Sequence, residues 1–244
     1  MFVKKGGQVT EGLATFYRRD KFKQISFSSV FLPEALKIDE RFDYIFSKVK
    51  GQDKLMESLT NRTTTVSVMV LEHILTGNII IVGNTHLYFE PNADHIRLIQ
   101  TEMCRLIISN TKLDIERENP HKKCSIIFNG DFNSTPPFAV LEYLTTGFIG
   151  SDHMDWRSQE GEEVIGLELN HEPIFTSAAG TPKYTNYTLG FKECIDYCWI
   201  EKSKLAVTQV VPFPSEEELS QFDALPNIVF PSDHIAVVAD LKFL

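Results

Sequence analysis

The sequence CSIIFNGDFNSTPP, which runs from Cys124 to Pro137, decides the fold of this chain. Its first five residues are mostly β-branched or aromatic, which is typical of a buried strand. Gly130 allows the backbone to turn, and Asp131 and Asn133 follow at the end of the strand. Because ligands collect at the carboxyl ends of strands in open α/β sheets, these two side chains predict oxygen ligands for a hard cation. An Asx turn that merely caps the strand is the structural alternative.

Composition limits the class of protein. The 244 residues are 43% apolar, which is enough for one α/β domain with a sizeable core. The net charge of -9 disfavours broad binding of duplex nucleic acid, but it leaves room for a phosphate-bearing substrate held by a metal and a few basic residues. No apolar run approaches the roughly 20 residues that span a bilayer. Four cysteines in apolar contexts predict reduced core residues of an intracellular protein: Cys104, Cys124, Cys194 and Cys198.

Upstream of this stretch, the pattern predicts a hairpin and a helix. Residues 63–75 alternate in polarity, 76–78 form a turn, and 79–82 return as a buried strand. Apolar residues at helical spacing predict a helix from Asn92 to about Asn110, followed by a charged connector over 112–123.

The two ends of the chain and the segment after the first strand give further predictions. The pattern predicts a strand over 11–19 without an earlier segment to pair with, a loop with a short helix over 26–43, and a strand deep in a sheet over 235–241. Residues 49–59 suit neither period.

Polar residues recur where buried strands end. A lone histidine at such a place is more often structural than functional. However, four such groups together are typical of metal-assisted phosphodiester hydrolysis, in which a cation activates water and histidines bind the phosphate oxygens. The groups are Asn84-Thr85-His86, Gly130-Asp131-Phe132-Asn133, Ile195-Asp196-Tyr197 and Ser232-Asp233-His234.

In their order and spacing, these four groups resemble the endonuclease/exonuclease/phosphatase superfamily, which has a DNase I-like fold. The resemblance covers nearly the whole chain. Tyr184 to Tyr187, Phe191 and the run from Glu11 to Arg19 narrow it to the deadenylase branch, and the tail from Val211 to His234 is most similar to members that degrade 2′,5′-oligoadenylate. The fold implied is α/β: a two-sheet β-sandwich flanked by helices, with residues 1–244 forming the C-terminal two-thirds of one domain.

The resemblance implies a Mg²⁺-dependent 3′-to-5′ exoribonuclease that hydrolyses 2′,5′-oligoadenylate and poly(A), with Mn²⁺ as an alternative metal. The substrate is its expected partner, with no membrane and no stable protein partner. The mitochondrial matrix is the expected compartment, with the cytoplasm as the alternative.

Individual roles follow from matching positions in the family. The catalytic residues implied are Asp131, His234, Asp196, His86 and Asn133. The metal ligands implied are Asp131, Asn133 and Asp233. The substrate-binding residues implied are Asn84, Pro91, Asn186 and Phe191, with the aromatic ring of Phe191 stacking on adenine. Core packing is the structural alternative for Phe191.

One departure from the family opens an alternative. In the family, the Glu that is the principal metal ligand precedes the strand at Glu11. The chain is therefore expected to be truncated at its amino end, to bind Mg²⁺ weakly and to have little or no phosphodiesterase activity by itself. Glu90 also stands where relatives often have His. The alternatives are a catalytically impaired adenylate-binding relative or a cytoplasmic mRNA deadenylase.

Overall fold

The computed structural model describes residues 1–6 and 9–244. Its strands are β1 (Phe2–Lys4), β2 (Gly12–Ala14), β3 (Phe22–Phe31), β4 (Thr65–His73), β5 (Ile79–His86), β6 (Cys124–Asp131), β7 (Phe148–Ile149), β8 (Leu169–Asn170), β9 (Phe175–Ser177), β10 (Asn186–Tyr187), β11 (Lys192–Glu193), β12 (Asp196–Glu201), β13 (Leu205–Val210) and β14 (Ala239–Phe243). Its α-helices are α1 (Leu32–Ile38), α2 (Asp43–Val49), α3 (Asp53–Thr60), α4 (Asp94–Glu118), α5 (Ala139–Thr146) and α6 (Glu216–Ser220).

A six-stranded sheet in the order β3-β4-β5-β6-β12-β9 organises the molecule. Within it β5 and β6 run parallel, and the other neighbouring strands run antiparallel. The predicted hairpin is β4–β5, and its turn contains Gly77 with a positive φ of 71°. The predicted central strand is β6. Both predictions are confirmed, and most apolar residues of these strands are buried.

The two faces of the sheet are covered differently. Helices α4 and α5 pack on one face in the main hydrophobic core. Gly83 allows the closest approach, since a Cβ there would lie 2.2 Å from Ile108 of α4. On the other face, Ile127 and Cys198 pack with residues of β13 and β14, a separate two-stranded sheet. The two layers agree with the predicted DNase I-like α/β sandwich, although short strand pairs form the second layer.

Two predictions about the ends of the chain are wrong. Strand β2 is paired after all, because β1 runs antiparallel to it. The predicted deep strand over 235–241 begins only at Ala239 as β14, which pairs with β13 and is half exposed. The first error arises because the segment of β1 gave no clear strand pattern by itself, whereas the partner of β14 is a segment whose pattern over 205–211 does predict a strand.

Two segments predicted as loop or connector are regular elements. Residues 22–31 form β3, an edge strand whose many polar residues face solvent. Helix α4 continues to Glu118 through the predicted connector. There the Lys112 ammonium lies 2.8 Å from the buried Glu201 carboxylate, so its charge is compensated inside the structure. Residues 53–60, whose spacing suits neither period, form α3. Among the described helices, none is long and apolar enough to cross a membrane.

Candidate active site

Three of the predicted polar side chains lie in one row across adjacent strands. His86 of β5 is in register with Asp131 of β6, which is in register with Asp196 of β12. Strands β5 and β6 run parallel and end at this edge, whereas β12 runs antiparallel and begins here. Asp196, which the sequence pattern placed within a buried run, is therefore the first residue of its strand. An antiparallel strand brings its amino end to the same edge.

His234 joins this row from the segment before β14. An isolated β-bridge holds it beside Asn186, and its Nδ1 lies 2.8 Å from Oδ2 of Asp196. The hydrogen bond to Asp196 raises the pKa of His234 to about 9, although burial acts in the opposite direction. His234 is therefore an imidazolium at neutral pH, with Nε2 left to donate to a ligand.

Asp131 is the least compensated charge in the row. Its Oδ1 accepts a 2.8 Å hydrogen bond from the backbone N–H of Asn133. Its Oδ2 lies 3.5 Å from Nε2 of His86 and 4.0 Å from Nε2 of His234. Burial and, next, the negative charge of Asp196 raise the pKa of Asp131 to about 7. A carboxyl group with this pKa is suited to exchange protons near neutral pH.

His86 is held in the opposite charge state from His234. Burial and the positive charge of Lys5 lower the pKa of His86 to about 4, so the imidazole is neutral at physiological pH. Its Nδ1 lies 3.9 Å from Glu11, which pairs with Lys5 at 3.0 Å. The two histidines of this site thus differ in charge. His234 has a carboxylate at hydrogen-bond distance, whereas the carboxylates nearest His86 lie 3.5 and 3.9 Å away and do not outweigh burial and the charge of Lys5.

Local backbone geometry places Asn133. A Cβ at residue 130 would lie 2.2 Å from the carbonyl oxygen of Thr85, so only glycine fits between β5 and β6 at this level. Asn133 has a positive φ of 47°, and its Nδ2 donates to the Leu87 carbonyl at 3.0 Å. The amide oxygen of Asn133 is then free to face the cleft.

The row includes a group with metal-binding potential. Asp131, Asp196 and His234 each offer an atom within 4.8 Å of the others, and no other such group was found among the described residues. Because the His234 ring is protonated and donates to Oδ2 of Asp196, the oxygens left for a cation come from Asp131, Asn133 and the second carboxylate oxygen of Asp196. This set of hard donors, with a carboxylate that has no Lys or Arg within 4 Å among the described residues, fits Mg²⁺.

Asp233 does not join this group. Its backbone carbonyl accepts the N–H of Tyr187 at 3.1 Å, and its negative charge contributes to the raised pKa of His234. The structure therefore places Asp233 beside the dyad of Asp196 and His234 rather than with Asp131 and Asn133.

A cleft of about 880 Å³ opens from this row. Three of the four predicted substrate-binding residues line it: Pro91, Asn186 and Phe191. Asn186 is buried and its Oδ1 has no hydrogen-bond partner among the described residues, whereas the ring of Phe191 is 45% exposed. The fourth residue, Asn84, is not among the lining residues, and its Nδ2 donates to the carbonyl oxygen of Ala14 in β2. A core position for Phe191 is excluded by its exposure.

Basic residues that sequence reasoning did not single out also line the cleft: Lys5, Arg62 and Arg97. Their sequence neighbours show no motif, and each reaches the cleft from a different element or loop. The sequence indicated only that an acidic chain that acts on phosphate needs local positive charge. That argument does not identify which basic residues supply the charge.

Comparison with known proteins gives relatives over nearly the whole chain, although no family model matches it. The chain is 40% identical over 234 residues to the 2′,5′-phosphodiesterase 12 of Mus musculus, covering 96% of the chain and 38% of that protein. It is 29% identical over 258 residues to the CCR4-Not complex 3′-5′-exoribonuclease subunit Ccr4 of Schizosaccharomyces pombe, covering 96% of the chain and 36% of that protein. The chain thus spans less than two-fifths of the length of these relatives.

Solved structures agree in fold. The 2′,3′-cyclic phosphatase ANGEL2, in complex with adenosine-2′,3′-vanadate, superposes with a TM-score of 0.75 at 19% identity and covers 99% of this chain and 73% of that one. An endonuclease/exonuclease/phosphatase from Bacteroides vulgatus has a TM-score of 0.59 at 18% identity, over 100% of this chain and 76% of that one. Together with the sequence relatives, they show that the chain belongs to the endonuclease/exonuclease/phosphatase superfamily, in its deadenylase branch.

Proposed function

We propose that this chain carries the catalytic site of a Mg²⁺-dependent 3′-to-5′ exoribonuclease that hydrolyses 2′,5′-oligoadenylate and poly(A). The observation that supports this most is the row of His86, Asp131 and Asp196 with His234, beside a cleft lined by an exposed aromatic ring. Likeness to the 2′,5′-phosphodiesterase and the 3′-5′-exoribonuclease supports the substrate class. We also propose that residues 1–244 lie within one domain and that the enzyme acts in the mitochondrial matrix.

Each residue has a proposed role that matches its charge state. Asp131 orients or deprotonates the attacking water, as its raised pKa favours. The His234 imidazolium donates from Nε2 to a non-bridging phosphate oxygen, with Asp196 as the residue that positions and charges it. Neutral His86 contacts the same phosphate.

Asp131 and Asn133 would hold the cation through their side-chain oxygens, with Asp233 contributing through water. When bound, Mg²⁺ lowers the pKa of water and neutralises charge that develops on the phosphate.

The bond changes follow from this arrangement. The oxygen of water bonds to phosphorus, and the bond from phosphorus to the 2′ or 3′ oxygen of the preceding ribose breaks. The leaving oxygen takes up a proton, and 5′-AMP is released. We propose that Phe191 stacks on the terminal adenine while Asn186 and Pro91 line the nucleotide pocket. Asn84 would act on this pocket indirectly, through its hydrogen bond to β2.

Release of AMP from triadenylate tests the proposal. The purified chain is incubated with 2′,5′-linked or 3′,5′-linked triadenylate in millimolar Mg²⁺ or Mn²⁺. Contrary to the expectation of an impaired chain, we expect release that stops with EDTA and with Asp131→Ala, because the row of His86, Asp131 and Asp196 with His234 is assembled in these residues. Asp114→Ala removes an exposed carboxylate on α4 that pairs with Arg117, and should leave release unchanged. Equal release by the wild-type protein and Asp131→Ala, including none from either, would contradict the proposal.

A further inference from the structure

Three basic side chains line the cleft, and they differ in how their charges are compensated. Lys5 lies 3.0 Å from the Glu11 carboxylate. Arg97 lies 2.7 Å from Asp94 and also donates to the backbone carbonyl of Glu90 at 2.7 Å. By contrast, no carboxylate lies within 4 Å of the Arg62 guanidinium among the residues that the structure describes. Arg62 is therefore a cation in the cleft without an acidic partner in that part of the chain.

The side chain of Arg62 also finds no hydrogen-bond acceptor among the residues that the structure describes. The side chain is half-buried, and its buried Nε has no partner in the described part of the chain. None of its nitrogens forms a hydrogen bond with the other described residues. A partly desolvated guanidinium with free donors favours an anionic ligand, since it has lost water without gaining a protein acceptor.

The Arg62 guanidinium packs against the aromatic ring of Tyr88. Its guanidinium carbon lies 4.0 Å from the centre of the Tyr88 ring, close enough for a cation–π contact. The backbone N–H of Tyr88 donates to Gln100 of α4 at 3.0 Å, and the Tyr88 carbonyl accepts from Arg97 at 3.2 Å. Gln100 in turn donates to the Thr64 hydroxyl at 3.0 Å. The backbone of Tyr88 is thus tied to the helix, and its ring supports the Arg62 guanidinium at the cleft.

From these contacts we infer that Arg62 binds a second phosphate group of the substrate, distinct from the phosphate that is cleaved. The inference rests on the proposed function for the class of substrate. The planar fork of arginine matches two oxygens of one phosphate, and such bidentate contacts are stronger than neutral hydrogen bonds. The cleaved phosphate is assigned to His86, His234 and the cation. Arg62 is therefore available to bind a phosphate at another position of the substrate.

Two positions on an oligoadenylate supply such a phosphate: the 5′ side of the chain and its 2′ terminus. Binding without cleavage distinguishes them. The ligands are 2′,5′-linked diadenylate, the same molecule with a 5′-phosphate, and the same molecule with a 2′-terminal phosphate. Affinity is measured by calorimetry in EDTA, so that the result does not depend on catalysis. We expect one of the two added phosphates to increase the affinity of the wild-type protein about tenfold or more.

Substitution of Arg62 should remove this increase. Arg62→Gln should bind all three ligands about equally, and Arg62→Lys should keep part of the increase because it retains the charge but not the fork. For the favoured ligand, the slope of log affinity against log salt concentration should be smaller by about 0.7 in Arg62→Gln, because one phosphate fewer is neutralised by the protein. Arg117→Gln removes a charge from the exposed end of α4 and should behave as wild type.

The outcomes separate this inference from the proposed function. If diadenylate binds but neither added phosphate strengthens binding to the wild-type protein, the role of Arg62 is wrong while the proposed substrate class stands. The same holds if the increase persists in Arg62→Gln. If none of the three ligands binds, the inference and the proposed adenylate specificity both fail.

Discussion

Buried carboxylates occur in two regions of this molecule, and their surroundings differ. In the core, Glu201 lies 2.8 Å from the Lys112 ammonium and accepts the backbone N–H of Ile126 at 3.2 Å. Glu102 forms two hydrogen bonds with Arg105, of 2.6 and 2.8 Å, and accepts the Tyr143 hydroxyl at 2.5 Å. These charges are compensated by groups that belong to the fold.

In the cleft, Asp131 has one backbone N–H and two imidazoles at 3.5 and 4.0 Å. Its pKa is raised because its charge is buried beside Asp196 with little compensation. The core carboxylates are therefore tolerated because groups of the fold compensate their charge, whereas the uncompensated charge of Asp131 destabilises the fold when it is ionised. Such a cost is expected where a substrate or cation completes the site.

The largest effect should come from Asp131→Asn on turnover. The amide keeps the shape of the side chain but cannot accept a proton, so kcat for oligoadenylate should fall by about 10²–10⁴-fold. Initial rates at saturating substrate measure this, with Asp114→Asn on the exposed end of α4 as the control. A fall in kcat of less than tenfold would show that Asp131 is not the group that acts on water.

Stability should change in opposite directions in the two regions. In EDTA at pH 8, Asp131→Asn should increase the free energy of unfolding by up to about 4 kcal/mol, because it removes a carboxylate whose pKa is about 7 when folded. Glu201→Gln should decrease it by about 3–5 kcal/mol, because the Lys112 charge is left buried and unpaired. Urea unfolding measures both.

The pH dependence has a defined sign. The folded protein binds the proton of Asp131 more tightly than the unfolded chain does, so ionisation lowers stability as pH rises from about 4 through 7. The increase in the free energy of unfolding caused by Asp131→Asn should therefore grow as pH rises over this window, and it should disappear at lower pH. If Asp131→Asn instead lowers the free energy of unfolding at pH 8, then carboxylates of the cleft and of the core do not differ in their effect on stability.

A smaller effect should appear in the charge of His234. Asp196→Asn replaces the charged partner at 2.8 Å, so the pKa of His234 should fall from about 9 toward 6.5. In the wild-type protein this pair stabilises the fold fully below pH 6.5, and its contribution is lost as pH rises through 9. NMR titration of the His234 ring measures the pKa, with His121 on the loop after α4 as an internal reference. An unchanged pKa would mean that Asp196 does not set this charge.

The smallest effect should come from Phe191→Ala. Stacking on a base contributes about 1–3 kcal/mol, so KM should rise about 5- to 150-fold while kcat changes little. Phe16→Ala removes an exposed ring outside the cleft and should leave KM unchanged. Steady-state kinetics on triadenylate separate the two constants. A parallel loss of kcat would mean that Phe191 positions the reacting phosphate.

Local patterns predicted much of this molecule because some elements are specified by their own residues. The β4–β5 hairpin and β6 have strong strand patterns, and both form where the pattern predicts them. Long-range pairing was not predictable in the same way. Edge strand β3 is polar on its exposed side, and β1 has only three residues.

The sequence by itself determined which polar groups would end the central strands, and the order of the motifs determined the superfamily. Only the tertiary structure decided their chemical states. The register of three strands placed Asp131 beside Asp196. The hydrogen bond to Asp196 made His234 cationic, whereas burial and the charge of Lys5 made His86 neutral. The tertiary structure also brought Lys5 and Arg62 to the cleft from segments that contain no recognisable motif. Charge states depend on distances between residues far apart in the chain, and local sequence does not encode those distances.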